Sequence, residues 1–174
     1  QNFPVVCIGG SAGGLDAFTR LLKALPADMG AAVVIVNHVR KVATLLHEIL
    51  PRFTAMPVEL ITDKLDIRPN RVFIIPTQRD LHVLDGEFRL QPVSKPRGWP
   101  DGDGAEALHD IKAVGGITIA QKLETAVQPD MPESAIASGY VDFVLSPEDI
   151  ARKITEIAGA ASRTAGTSKE IVAP

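Results

Sequence analysis

The chain has 174 residues, 45% of them hydrophobic and 22% charged, the balance of one soluble globular domain and not of a disordered chain. A chain of this length buries roughly 70% of its unfolded surface without a staple, and its single cysteine, Cys7, excludes an internal disulfide framework and every multi-cysteine metal site. Eighteen Lys plus Arg face 21 Asp plus Glu, net −3, which argues against nucleic acid as a partner, and no spanning-length apolar run or secretion signal occurs, so a cytoplasmic protein with no direct membrane insertion is expected.

The first element is the apolar run Pro4-Val5-Val6-Cys7-Ile8, which breaks into Gly9-Gly10-Ser11-Ala12-Gly13-Gly14. This predicts a buried strand entering a tight turn, with Cys7 acting as a small buried hydrophobe. Leu15, Phe18, Leu21, Leu22 and Leu25 then recur at helical spacing and stop before Pro26, so the turn feeds an amphipathic helix. Ala31 to Val36 is a second apolar run cut off at Asn37-His38, and a parallel βαβ pair is the natural reading.

A helix is predicted over Val42 to Leu50, followed by strands at Val58 to Ile61 and Val72 to Ile75. Leu81 to Leu84, Asp85-Gly86 and Phe88 to Leu90 read as strand, two-residue turn and strand, an edge β-hairpin. Beyond it, Ala105 to Val114 predicts a helix, Ile117 to Ala120 a strand, Glu133 to Ala137 a short helix and Tyr140 to Leu145 a last strand. Ser146-Pro147-Glu148-Asp149 supplies a serine cap, a first-turn proline and two acids for a helix to about Ala158. Residues 1–158 are thus expected to form one domain and 159–174 a disordered tail. The fold class is α/β: a doubly wound, mostly parallel sheet with helices on both faces. One stretch breaks the rhythm: Pro92 to Gly104, with Pro92, Pro96 and Pro100, leads into a helix with no strand before it.

Gly9-Gly10-Ser11-Ala12-Gly13 satisfies G-x-S-x-G at a strand-to-helix junction, where that motif carries a nucleophile. Small residues around Ser11 let the chain turn sharply, and the amides of Ala12 and Gly13 open the helix toward a developing oxyanion. A serine hydroxyl needs a base. His38 follows the next strand, and one right-handed crossover puts that strand's carboxyl end on the same sheet edge as Ser11. The third member should be a carboxylate that orients the imidazole; Asp101 and Asp103 lie in a glycine-rich loop before a helix, with Asp103 preferred. The rival reading is a non-catalytic module whose glycine-rich turn binds an anionic ligand or a partner. Against it stand the missing third glycine of a dinucleotide fingerprint and the missing lysine of a P-loop. His47, His82 and His109 read as structural or surface residues.

At these residues the sequence resembles the catalytic domain of CheB-type chemotaxis receptor methylesterases. The likeness runs through Val5 to Gly14, Asn37-His38, Arg71 to Pro76, Gly102 to Ala105 and Gln128 to Ala135, and covers roughly Phe3 to Ile157. It implies a serine hydrolase on a CheB-like doubly wound α/β fold, with Ser11 as nucleophile, His38 as general base and acid, Asp103 as orienting carboxylate and the Ala12 amide at the oxyanion, and with no metal or cofactor. The implied substrates are glutamate γ-methyl esters, and glutamines to be deamidated, on the cytoplasmic helices of methylated chemoreceptors. The resemblance also implies a helix and an apolar strand between Pro100 and the Asp-Gly-Ala loop. The sequence passes from Pro100 to Asp101 with neither, so about 25 residues are absent there; the expectation is that the sequence omits disordered residues the protein carries, since loss of a central strand would expose the core, with genuine deletion as the alternative. A receiver domain is common in the family. Because the sequence opens two residues before Phe3, a stand-alone esterase domain, or a piece of a larger chain carrying a receiver or methyltransferase domain, is expected.

Overall fold

The apolar runs of the first half pair as parallel strands. The computed structural model describes residues 3–10, 13–37, 43–76, 79–92 and 105–167, and within them β1 (Val5–Gly10), β2 (Ala32–Asn37), β3 (Val58–Leu60) and β4 (Arg71–Ile74) form one parallel sheet in the order β1-β2-β4-β3. Two buried faces explain the unbroken hydrophobicity of β2 and β4. On one face Val33, Ile35, Val72 and Ile74 pack against Phe18, Leu21 and Leu22 of α1 (Gly14–Ala24), Leu46 of α2 (Ala43–Ile49), Leu50 of the following 3-10 turn, and Ala151, Ile154 and Ala158 of α5 (Pro147–Thr167). The opposite face of Ala32, Val34 and Phe73 packs against Ile61, Ile67 and Phe88.

Phe88 belongs to the predicted hairpin, β5 (Arg79–Leu84) and β6 (Glu87–Pro92). Asp85 and Gly86 turn with φ of 53° and 81°, the left-handed pair a type I′ turn requires. The hairpin forms a two-stranded sheet of its own and is laid against a face of the main sheet, not along its edge. Burial of Phe88 edge-on to Phe73, ring centres 5.0 Å apart, draws it there.

The second half builds α3 (Ala105–Ala113), β7 (Ile119–Gln121), a 3-10 turn at Leu123–Thr125, α4 (Asp130–Ala137) and β8 (Phe143–Leu145). β7 and β8 pair with each other in parallel and, among the described residues, with no other strand. β8 is shorter than its apolar run because Thr118 captures the segment before it. The Asp142 amide donates to the Thr118 carbonyl at 3.0 Å, the Thr118 amide to the Asp142 carboxylate at 2.9 Å, and the Thr118 hydroxyl to the Tyr140 carbonyl at 2.5 Å.

At the last helix the Asp149 amide donates to the Ser146 hydroxyl at 3.2 Å, the cap read from the sequence. The helix does not end near Ala158; it continues through Gly159 to Thr167. Tertiary packing outweighs the low helix propensity of one glycine, since Ala158 is buried and Ser162 lies beside Gly30. Cys7 also departs from expectation: it shares a sheet face with Val34, but the cluster that buries Val34 includes no residue of β1, and Cys7 is exposed.

Candidate active site

The strands that precede the two candidate catalytic turns end side by side. Gly10 is the last residue of β1 and Asn37 the last of β2, and they are register partners. In a parallel pair the adjoining carboxyl ends open on one edge of the sheet, where α/β folds place their ligands. Ser11 and Ala12 follow Gly10 directly and His38 follows Asn37 directly; all three, with Asp101 and Asp103, lie outside the described residues.

The described flanks show why the first turn is built from glycine. Gly13 stands before α1 at φ 85° and ψ −6°, a left-handed conformation that side chains disfavour. A Cβ on it would lie 3.1 Å from the Val127 Cβ and 3.3 Å from the Gln128 Cγ. At Gly10 a Cβ would come within 2.3 Å of the Phe18 Cζ. Gly10 therefore lies close against its own helix and Gly13 against the segment after β7.

α1 is anchored from beneath. Arg20 donates from Nε and Nη2 to the two carboxylate oxygens of Glu148, at 2.7 and 2.9 Å, which ties α1 to α5. The pairing holds the Glu148 carboxyl below its ordinary range and pushes the Arg20 guanidinium up. α3, which starts one residue after Gly104, is fixed to the β7–β8 layer: Lys112 meets Asp142 at 2.5 Å, and His109 packs edge-on to Tyr140, ring centres 5.0 Å apart. Lys112 and the Thr118 amide keep the Asp142 carboxyl low.

Solvent reaches Cys7, yet the chain packed around its sulfur desolvates it enough to push the thiol up. That desolvation disfavours the thiolate, the nucleophilic form of a cysteine. His47, His82 and His109 stand on α2, β5 and α3, and no group of three or more His, Cys, Asp or Glu among the described residues is placed to hold a metal. No described helix is long and apolar enough to cross a membrane.

Residue-level reading passed over three wall residues. Val127, Gln128 and Met131 press on the glycine turn, Met131 with its Cε 3.2 Å from a Cβ built on Gly9. Only the ordered Gln128 to Ala135 motif pointed to that stretch.

The CheB methylesterase family model matches residues 6–98 and 100–154. A protein-glutamate methylesterase/protein-glutamine glutaminase of Burkholderia lata is 33% identical over 178 positions that take in 86% of this chain and 52% of the relative. One from Rhizobium meliloti, of its group 3 operon, is 30% identical over 198 positions, 95% of this chain and 54% of the relative. The chain thus spans about half the length of these curated relatives. A putative member from Leptospira interrogans is 29% identical over 87% of this chain and 93% of its own length. The crystal structure of the Thermotoga maritima CheB methylesterase catalytic domain superposes with a TM-score of 0.80 at 26% identity, covering 89% of this chain and 98% of that one. With most of its length matched by the family model and its parallel sheet shared with a solved catalytic domain, the chain belongs to the CheB methylesterase family.

Proposed function

We propose that the chain is a serine esterase that removes γ-methyl esters from glutamate side chains, and deamidates glutamines, on the cytoplasmic helices of methylated chemoreceptors. The observation that carries this reading is the register pairing of Gly10 with Asn37, which starts the Ser11 and His38 turns from adjacent strand ends. Ser11 Oγ attacks the ester carbonyl while His38 takes its proton, and Asp103 orients the imidazole and stabilises its cation. The amides of Ala12 and Gly13 meet the developing oxyanion. His38 returns the proton to the methoxy oxygen, methanol leaves, and the glutamyl group stays on Ser11. Water, deprotonated by His38, then releases the free glutamate and restores Ser11. The relatives named above carry both activities in their names, which favours this chemistry over anion binding by the turn.

The test is methanol release from a methylated chemoreceptor cytoplasmic fragment. Ser11→Ala is expected to lower release on the order of 10⁴-fold or more and to leave thermal unfolding unchanged, since a turn serine contributes little packing. Full release by Ser11→Ala refutes the assignment. Absence of release from either protein, with calorimetric binding of a phosphate ligand, replaces the esterase with a binding module.

A further inference from the structure

Val127 is held firmly and yet left in water. The chain that carries it leaves β7 through the 3-10 turn Leu123–Thr125, and that turn is tied at several points. Gln121 Nε2 donates to the Thr125 carbonyl at 2.9 Å and to the Thr125 hydroxyl at 3.2 Å, and that hydroxyl donates to the Lys122 carbonyl at 2.7 Å. The Ala126 amide closes the turn on the Leu123 carbonyl at 3.1 Å. From α1, Arg20 reaches the Thr125 carbonyl at 3.5 Å. On the other side Pro129 has its φ fixed by its ring and biases Gln128 toward extended backbone. Between these anchors stands a β-branched side chain with little rotamer freedom of its own. Val127 is nevertheless 63% exposed, and apolar surface left in water adds nothing to the stability of the fold.

Its place gives that surface a use. Val127 Cβ and Cγ1 stand 3.1 and 3.3 Å from where a Cβ on Gly13 would be, a position only two bonds from the Gly13 amide nitrogen. Gly13 lies two residues from Ser11 in the chain, and the esterase reading gives its amide to the oxyanion, which such donors meet at about 3 Å. An acyl group carried on Ser11 therefore has Val127 as an apolar neighbour. Leu15, in the first turn of α1 and also exposed, adds apolar surface just beyond Gly13. The substrate ester or amide is neutral, whereas the product is a carboxylate. Setting an ionised carboxylate against an apolar side chain costs far more than setting a neutral group there. The nearest charged residues along the chain on either side of Val127, Glu124 and Asp130, are themselves acidic.

We propose that Val127 is a specificity-determining residue of the esterase, which admits the neutral glutamyl ester or amide and works against retention of the carboxylate product. The inference rests on the esterase reading and deepens it.

The test assays methanol release from a methylated chemoreceptor cytoplasmic fragment, with the same fragment in its fully demethylated form as inhibitor. The readout is the inhibition constant of the acid form divided by KM of the ester form, a ratio that a merely structural valine would not move. Arginine presents a fork that matches a carboxylate, so Val127→Arg should lower the ratio at least about 5-fold. Val127→Leu keeps the wall apolar and should hold the ratio within about 2-fold. Val114, 85% exposed beyond the carboxyl end of α3, is the control for added charge, and Val114→Arg should also stay within about 2-fold. Exposed positions tolerate such changes without unfolding, which thermal melts check, and Val127→Lys repeats the test with a second cation. With methanol released by the parent, an unchanged ratio in both cationic Val127 variants, or an equal fall in Val114→Arg, overturns this inference and leaves the esterase standing. No release from the parent overturns the esterase reading and this inference with it.

Discussion

Gly10→Ala should be among the most damaging one-carbon additions in this protein. The added methyl would sit 2.3 Å from Phe18 Cζ and 3.0 and 3.1 Å from Cε1 and Cε2, whereas carbon atoms attract at about 3.5–4.0 Å. The overlap exceeds 1 Å at the ring edge. The ring cannot retreat, because Phe18 is 2% exposed and wedged among Leu21, Leu22 and the sheet. Overpacking of this kind costs about 1–3 kcal/mol, and so severe an overlap belongs near 3. For a domain of this size that lowers the melting temperature by roughly 6–12 °C, at about 2–4 °C per kcal/mol. Urea unfolding at constant m reads the same quantity as a lower midpoint. Two neighbours serve as controls. At Gly14 the Cβ would stand 3.5 Å from Phe18, ordinary contact at the start of a helix, so Gly14→Ala should be neutral or stabilise by roughly 0.5–1 kcal/mol. At Gly9 the neighbour is the flexible end of Met131, so Gly9→Ala should cost under about 1 kcal/mol. Trimming the ring in Gly10→Ala/Phe18→Leu should recover about 1 kcal/mol or more relative to the sum of the single changes. Gly10→Ala unfolding within about 0.5 kcal/mol of the parent, or a strictly additive double variant, would refute the packing argument.

Phe88→Ala should cost roughly 3–5 kcal/mol in urea unfolding, since Phe88 is fully buried and carries the hairpin's contact with Phe73; a loss below about 1 kcal/mol would mean the hairpin does not seal that face. The Asp142 and Glu148 carboxyls are held below their ordinary values by Lys112 with the Thr118 amide and by Arg20. A depressed folded-state pKa stabilises above the unfolded pKa and loses that contribution as pH falls through the folded one. Stability measured by thermal melts should therefore decline as pH drops below about 4, and Asp142→Asn should make that decline shallower while lowering stability at pH 7. An unchanged acid slope in Asp142→Asn would show that the Lys112 pairing does not survive in solution.

Much of the fold was readable because its signals are local. Continuous apolar runs gave β1, β2 and β4, Asp85-Gly86 gave the hairpin, and Ser146-Pro147 gave the start of α5. The departures are tertiary. Nothing in Phe88 itself says that the hairpin lies on a face instead of an edge; that follows from its partner Phe73, distant in sequence. Gly159 reads as a helix end until Ala158 is seen buried and Ser162 beside Gly30. Cys7 has the composition of a core position, and its exposure follows from the packing of the face it shares with Val34 and not from β1's own residues. For the candidate site, the order strand, serine turn, helix, strand, histidine was legible, and the register of Gly10 with Asn37 agrees with it. The wall made by Val127, Gln128 and Met131 was not, since residues brought together by a turn more than a hundred positions away leave no periodic trace.

These observations divide the proposed triad into two parts with different structural support. The strands that precede Ser11 and His38 belong to the four-stranded sheet, packed on one face by α1, α2 and α5 and on the other by the hairpin, with Val5, Cys7 and Val36 left exposed. From beyond residue 99, α5 packs on that sheet and Val127, Gln128 and Met131 rest on Gly9 and Gly13. Asp103 stands on the other side of the break in the family match, and α3 after it is held by Lys112 and His109 to the β7–β8 layer, which pairs with no strand of the main sheet among the described residues. Removing an orienting aspartate from an otherwise intact site lowers turnover about 10⁴-fold without removing the nucleophile.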